Sequence, residues 1–251
     1  MSTIVNLTRA ELRKLVLARS FLITLAVSVG LAVTVVISSA LAAGHNGAPA
    51  LATIAGADSL LKLGVIACVA MLVLGILAAG GEYRHKTIIP AMLITPRRGA
   101  LVAAKVIAVA IAGAVLSSVT FGVGLVTAFA ELSAHGINHL PADTVSMFAG
   151  SVIAGTLFGV IGVALGYITR STVAAAVGAV AWVLFVEQTI LRTVAPHQVK
   201  WLMSGTASAL TTPVTGGSPP LPAATATAVL SGYSLVLLAA AARLVLRRDV
   251  A

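Results

Sequence analysis

The sequence predicts an all-α integral membrane protein with six transmembrane helices and both termini in the cytoplasm. Three observations carry that prediction. Of 251 residues, 59% are hydrophobic and only 9% are charged, and the mean hydropathy is +1.08. A soluble domain carries about a quarter charged residues, so this chain cannot clothe itself for water. The apolar residues are gathered into six runs, near 21–43, 60–80, 103–130, 145–169, 172–191 and 223–243. Each is long enough to cross about 30 Å of hydrocarbon as a helix rising about 1.5 Å per residue, and too long for a barrel strand. The basic residues, finally, fall between the runs and mostly on one side.

That charge asymmetry orients the chain. Arg9, Arg13, Lys14 and Arg19 precede the first run; Arg84, Lys86, Arg97, Arg98 and Lys105 lie between or near the ends of the second and third. Arg170 follows the fourth, and Arg243, Arg247 and Arg248 close the chain. Against these thirteen stand only Lys62, Arg192 and Lys200 on the other side. The positive-inside rule therefore puts the N- and C-termini in the cytoplasm and the protein in the cell (inner) membrane. The net charge of +9 is spent in these clusters, which suits lipid headgroups and not nucleic acid. Cys68 is the single cysteine, so neither an intramolecular disulfide nor a thiolate metal site is expected. Basic residues, an apolar run and Ala40-Leu41-Ala42 resemble a signal peptide, but the first run spans a full bilayer and five more follow; an uncleaved helix is expected.

The whole chain, 1–251, thus reads as one transmembrane domain. Within it, residues 1–20 predict an amphipathic helix on the inner leaflet. Ile4, Leu7, Leu12, Leu15 and Val16 roughly share a face, and Arg9, Arg13, Lys14 and Arg19 supply the charged side. The loop near 131–144 carries Glu131, His135, His139 and Asp143 at four-residue spacing. Gly136, Asn138 and Pro141 argue against the continuous helix that would stack them as metal ligands, so no metal site is expected. Residues 192–222 form the longest outer connection. Their first half is apolar enough for an interfacial or re-entrant segment.

The segment 81–102 carries the most informative pattern. Between Glu82, Tyr83 and Arg84 at one end and Pro96, Arg97 and Arg98 at the other lie Thr87, Ile88, Ile89, Met92 and Leu93. Apolar anchors inside a charged rim are what a docking element for a soluble partner needs. Further on, Gly155 and Gly159, then Gly162 and Gly166, form two Gly-x-x-x-Gly pairs, which let helices approach closely in lipid and are expected to serve internal packing. Glu187 sits about sixteen residues into the fifth run, close to Gln188 and Arg192. It is a candidate pathway or outer-gate residue, with an interfacial pair as the plainer reading.

These patterns resemble the type-2 ABC transporter permeases. The run Glu82…Thr87…Leu93-Ile94-Thr95-Pro96-Arg97-Arg98…Lys105 is similar to their cytoplasmic loop, although Lys86 stands where Gly is common and Pro90 is unusual. Gly155 to Ser171 resembles their glycine-rich fourth span and tight turn. Trp182 to Glu187, with Trp201 and Ala207-Ser208-Ala209-Leu210, looks like an actinobacterial-type fifth span and outer segment. The resemblance implies a permease subunit of an ATP-driven exporter, with 82–98 as the coupling helix seated in a separate ATPase. It also implies two ATPase copies, a second permease copy, and a hydrophobic or amphipathic substrate such as a drug, lipid or peptide. ATP and magnesium would belong to the partner. This chain has no Gly-x-x-x-x-Gly-Lys-Ser/Thr loop and no nucleophile–base motif, so no catalysis of its own and no cofactor are expected. The alternatives are an ion-coupled secondary transporter, which the near absence of mid-span acids disfavours, and a non-transporting structural subunit.

Overall fold

The computed structural model describes residues 2–45, 48–84, 98–194, 196–212 and 221–247. Among them there is no strand. Helix α1 (Ser2–Leu17) meets α2 (Arg19–Ala42) at a one-residue corner, where Ala18 is extended and breaks the ladder. A short α3 (Ile54–Ser59) precedes α4 (Gly64–Arg84). Then come α5 (Arg98–Ala134), α6 (Thr144–Thr169) and α7 (Thr172–Ala181). A π-helical stretch, Trp182–Leu191, continues α7. Short helices α8 (Arg192–Val194), α9 (Pro196–Val199) and α10 (Met203–Thr211) lead to the last long helix, α11 (Ala223–Arg247).

Among the described residues, five helices are long and apolar enough to cross a membrane: α2, α3–α4 taken together, α5, α6 and α11. The chain is therefore an all-α protein of multi-pass membrane type. The fifth predicted run, 172–191, differs in form. Its α-helical part is only 10 residues long before the hydrogen-bonding pattern widens to π at Trp182. Hydropathy registers the length of an apolar run but is blind to the helix type that carries it. Helix α5 is the opposite case: its 37 residues extend about 55 Å, well beyond the hydrocarbon thickness.

Two helices form the centre and two the periphery. The most apolar stretches of α4 and α6 are 61% buried within the chain, whereas those of α2 and α11 are only 22% buried. Leu22, Ile23, Val27 and Leu31 on α2, and Leu235 and Val236 on α11, point outward, as lipid-facing side chains do. Lipid tails are as apolar as leucine, so burial alone does not drive these helices together; close backbone approach must. Glycine provides it. A Cβ at Gly162 would lie 2.2 Å from the Leu72 carbonyl oxygen, and one at Gly75 would lie 2.1 Å from that of Gly159. Gly166 meets Ala79 and Gly80 in the same seam, and Gly155 admits Ser117 of α5. The four span-four glycines thus sit against α4 and α5 of the same chain. A buried Ser28–Thr120 hydrogen bond of 3.0 Å ties α2 to α5.

Residues 203–211 pack inward. Helix α10 buries Ser204, Thr206, Ala207, Leu210 and Thr211, and Gly150 of α6 approaches it so closely that a Cβ would stand 1.8 Å from the Leu210 carbonyl oxygen.

Candidate functional site

Helices α2, α5, α7 and the descending ends of α4, α6 and α11 bring Arg19, Arg98, Thr172, Arg84, Thr169 and Arg247 to one end of the bundle. Basic residues gather here, and here the structure buries an ion cluster. Lys105, seven residues into α5, donates to Glu11 of α1 and, at 2.8 Å, to Glu82 near the end of α4. Lys14, one turn further along α1, bonds the other Glu11 oxygen at 2.7 Å. The side chains of Lys105 and Glu11 are each 5% exposed and that of Glu82 is 12% exposed; Lys14 reaches out at 61%.

An ionised group so deep is tolerated only with partners of opposite sign. Lys105 supplies one positive charge to two carboxylates, and Lys14 supplies a second from the rim. Burial pushes the Glu11 carboxyl up, but the charges and hydrogen bonds of Lys105 and Lys14 outweigh it and hold Glu11 below its ordinary value. Burial likewise pushes Lys14 down, and the bond and charge of Glu11 carry it above its ordinary value. The cluster pins α1 to both helices that flank residues 85–97.

An aromatic layer lies beside it. Tyr83 meets Tyr167 edge-on at 6.3 Å between ring centres, and the Arg170 guanidinium stands 5.5 Å over Tyr83. Arg170 takes the left-handed conformation (φ 53°) that closes α6 and turns the chain into α7. The Ser171 hydroxyl caps α7 by accepting from Ala174 N–H at 3.4 Å. A cavity of about 490 Å³ opens between these groups, lined by Glu11, Lys14, Glu82, Lys105 and Thr172 on its polar side and by Leu15, Leu74 and Leu77 among its apolar walls.

The residues singled out from sequence fall into three groups. Glu82 and Tyr83 belong to this site; Arg84 ends α4 and Arg98 begins α5. Thr87, Ile88, Ile89, Met92, Leu93, Pro96 and Arg97 lie outside the described residues. On α1, Arg9, Arg13, Lys14 and Arg19 at the following corner are exposed, but the helix does not simply rest on a leaflet: Glu11 and Leu15 are buried in the bundle.

Glu187 is held by two hydrogen bonds inside the protein. It is fully buried, and its two oxygens accept from the Trp182 indole N–H at 2.8 Å and the Ser204 backbone N–H at 2.6 Å. The carboxylate therefore joins the π-helical stretch to the start of α10, whose unpaired N–H groups attract negative charge. On the 131–144 loop, α5 stops at Ala134 and Gly136 turns with φ +78°. His135 and His139 consequently project from different backbone directions, both exposed.

Sequence reading missed Glu11 and did not pair Lys105. A signal for both existed. The chain has only seven acids, and on the basic side they are Glu11, Glu82 and Asp249. A lysine entering an apolar run on that side had few partners to choose from. Compared with known proteins, the sequence matches no family model and no curated relative.

Proposed function

We propose that this chain is the permease subunit of an ATP-driven exporter in the cell membrane, spanning it six times with both termini cytoplasmic. It pairs with a second permease copy and two ATPase subunits and forms half of a pathway for a hydrophobic or amphipathic substrate. Residues 172–191 are the fifth of the six crossings, made of α7 and the π-helical stretch. The segment 192–222 is the outer element. ATP and magnesium act on the partner, and this chain contributes no catalysis.

One observation carries the reading: the buried Glu11–Lys105–Glu82 cluster joins the interfacial helix to the two helix ends that flank residues 85–97. A force applied at that loop would move α1, α4 and α5 as one body, because no member can leave without stranding a buried charge. The glycine seam then transmits the motion, since α4 and α6 touch backbone to backbone and have no side-chain slack between them. The energy of transport is the differential affinity of the two conformations for ATP on the partner.

The test is co-purification of an ATPase subunit encoded beside this chain, using wild-type and Leu93→Asp protein at matched membrane expression. Cysteine accessibility near Arg9, Arg97 and Arg247 in the same membranes controls for orientation. A charge at an apolar anchor should abolish recovery, at a cost of about 3–5 kcal/mol, without affecting insertion. Equal recovery and equal transport would refute the reading, as would ATP hydrolysis by the chain alone.

A further inference from the structure

The fifth apolar run contains an element that the proposed function does not use. Trp182–Leu191 is ten residues of π-helix, whereas π bonding is usually confined to a single turn inside an α-helix. Nothing local demands it. The stretch contains no proline and no glycine, the residues that ordinarily disturb a helical ladder. Helices α7 before it and α8 after it are both α-helical. The widened register is therefore held from outside its own backbone.

Glu187 is placed to hold it. The residue is fully buried, and both carboxylate oxygens are engaged, one by the Trp182 indole N–H at 2.8 Å and the other by the Ser204 backbone N–H at 2.6 Å. The first bond depends on the helix type. Residues 182 and 187 are five apart, and in an α-helix, at about 100° per residue, they would stand about 140° apart around the axis. Ladder bonds from i to i+5 bring residues five apart back toward one side. The second bond depends on where α10 sits. Ser204 lies in the first turn of α10, where a backbone N–H has no partner within its own helix. One carboxylate thus ties the register of a long apolar segment to the position of the helix beyond it.

We infer that Trp182–Leu191 is a two-register element, π while Glu187 bridges Trp182 to Ser204 and α once that bridge is broken. The linkage runs in both directions. Relaxation to α carries the Glu187 carboxylate away from the indole. Withdrawal of α10 strands a buried carboxylate oxygen and removes one of the two bonds that oppose relaxation. The α register also puts fewer residues into each turn, so relaxation lengthens the segment and drives the chain after Leu191 along the helix axis. This device does not depend on the permease reading, and it is tested on the chain alone with no ATPase present.

The experiment places spin labels at Val177→Cys and Val194→Cys, two exposed positions that flank the stretch. The background is Cys68→Ala, which removes the single native cysteine, and the distance is read by double electron–electron resonance. Residues 177–194 would span about 25 Å as a continuous α-helix, and less with π turns between them. Glu187→Gln keeps the size of the side chain and replaces one acceptor oxygen with a donor; it should shift the distance distribution to longer values than in the parent. Trp182→Phe keeps a ring and removes only the indole donor, and should add a longer population beside the original one. A second pair, Val27→Cys on α2 and Val236→Cys on α11, both exposed, reports on the rest of the bundle and should keep its distance in both variants. A merely structural role for Glu187 would lower the melting temperature and leave the 177–194 distance unchanged in both variants, which would overturn the inference. So would a shift of the second pair accompanying every shift of the first, because the bundle as a whole would then have loosened.

Discussion

Replacing Lys105 by methionine tests the ion cluster most directly, because it keeps the length and apolar stem of the side chain and removes only the charge. In the structure Lys105 bonds two buried carboxylates at once. Removing one partner of a buried pair costs about 3–5 kcal/mol, since the remaining charge is stranded. Glu11 keeps Lys14, so the loss falls chiefly on Glu82 and the total stays within the range for one pair. At about 2–4 °C per kcal/mol for a chain of this size, Lys105→Met should melt about 6–20 °C below wild type. The assay is thermal unfolding of purified protein followed by intrinsic tryptophan fluorescence, with Trp182 and Trp201 as reporters. A triple variant, Glu11→Gln, Glu82→Gln and Lys105→Met, removes all three charges and should recover most of the loss, because a fully neutral replacement is about isoenergetic. A single variant melting within about 2 °C of wild type would refute the reasoning. So would a triple variant no more stable than the single one.

Two further outcomes follow from the same geometry. Gly162→Ala places a methyl group 2.2 Å from the Leu72 carbonyl oxygen and should destabilise by at least about 1–3 kcal/mol. Gly232→Ala, with nothing within 4 Å, should be neutral or gain about 0.5–1 kcal/mol; unfolding curves of the two variants that coincide would remove the seam from the account. Glu11 gives a pH signature: its carboxyl is held below the ordinary 4.5, so the unfolded chain takes up the proton first as pH falls. The stability it contributes is complete above that value and is lost as pH drops through the lowered one; Glu11→Gln should flatten the melting temperature across that acid range, and an unchanged slope would show that the pairing with Lys105 contributes nothing.

What was legible in the sequence is what depends on local composition. The long spans are readable because each is a run of apolar residues whose length alone matches the bilayer, and α2, α6 and α11 begin and end within a few residues of their runs. The glycine pairs are readable because spacing by four puts Gly155, Gly159, Gly162 and Gly166 along one side of a helix. The partner helix was not readable, since any neighbour could have filled the seam; the structure sets α4 there, with its own Gly75 facing Gly159. The π-helical stretch was invisible because Trp182–Leu191 has the apolar composition of an ordinary span.

The site was harder for a different reason. Glu11 and Lys105 are 94 positions apart, and each taken alone has a mundane explanation: an acid among bases on an amphipathic helix, and a lysine at the mouth of a span. What couples them is the energetic asymmetry of burial. A charge at the edge of an apolar run can reach water, and only the approach of α1 across the end of α5 denies that route and makes the pairing obligatory. The same closure leaves Glu82 with a carboxylate oxygen that no described residue satisfies. A fold that withholds water from two acids answers them with one buried lysine and a second at the rim, so the charge there is balanced by the chain's own side chains.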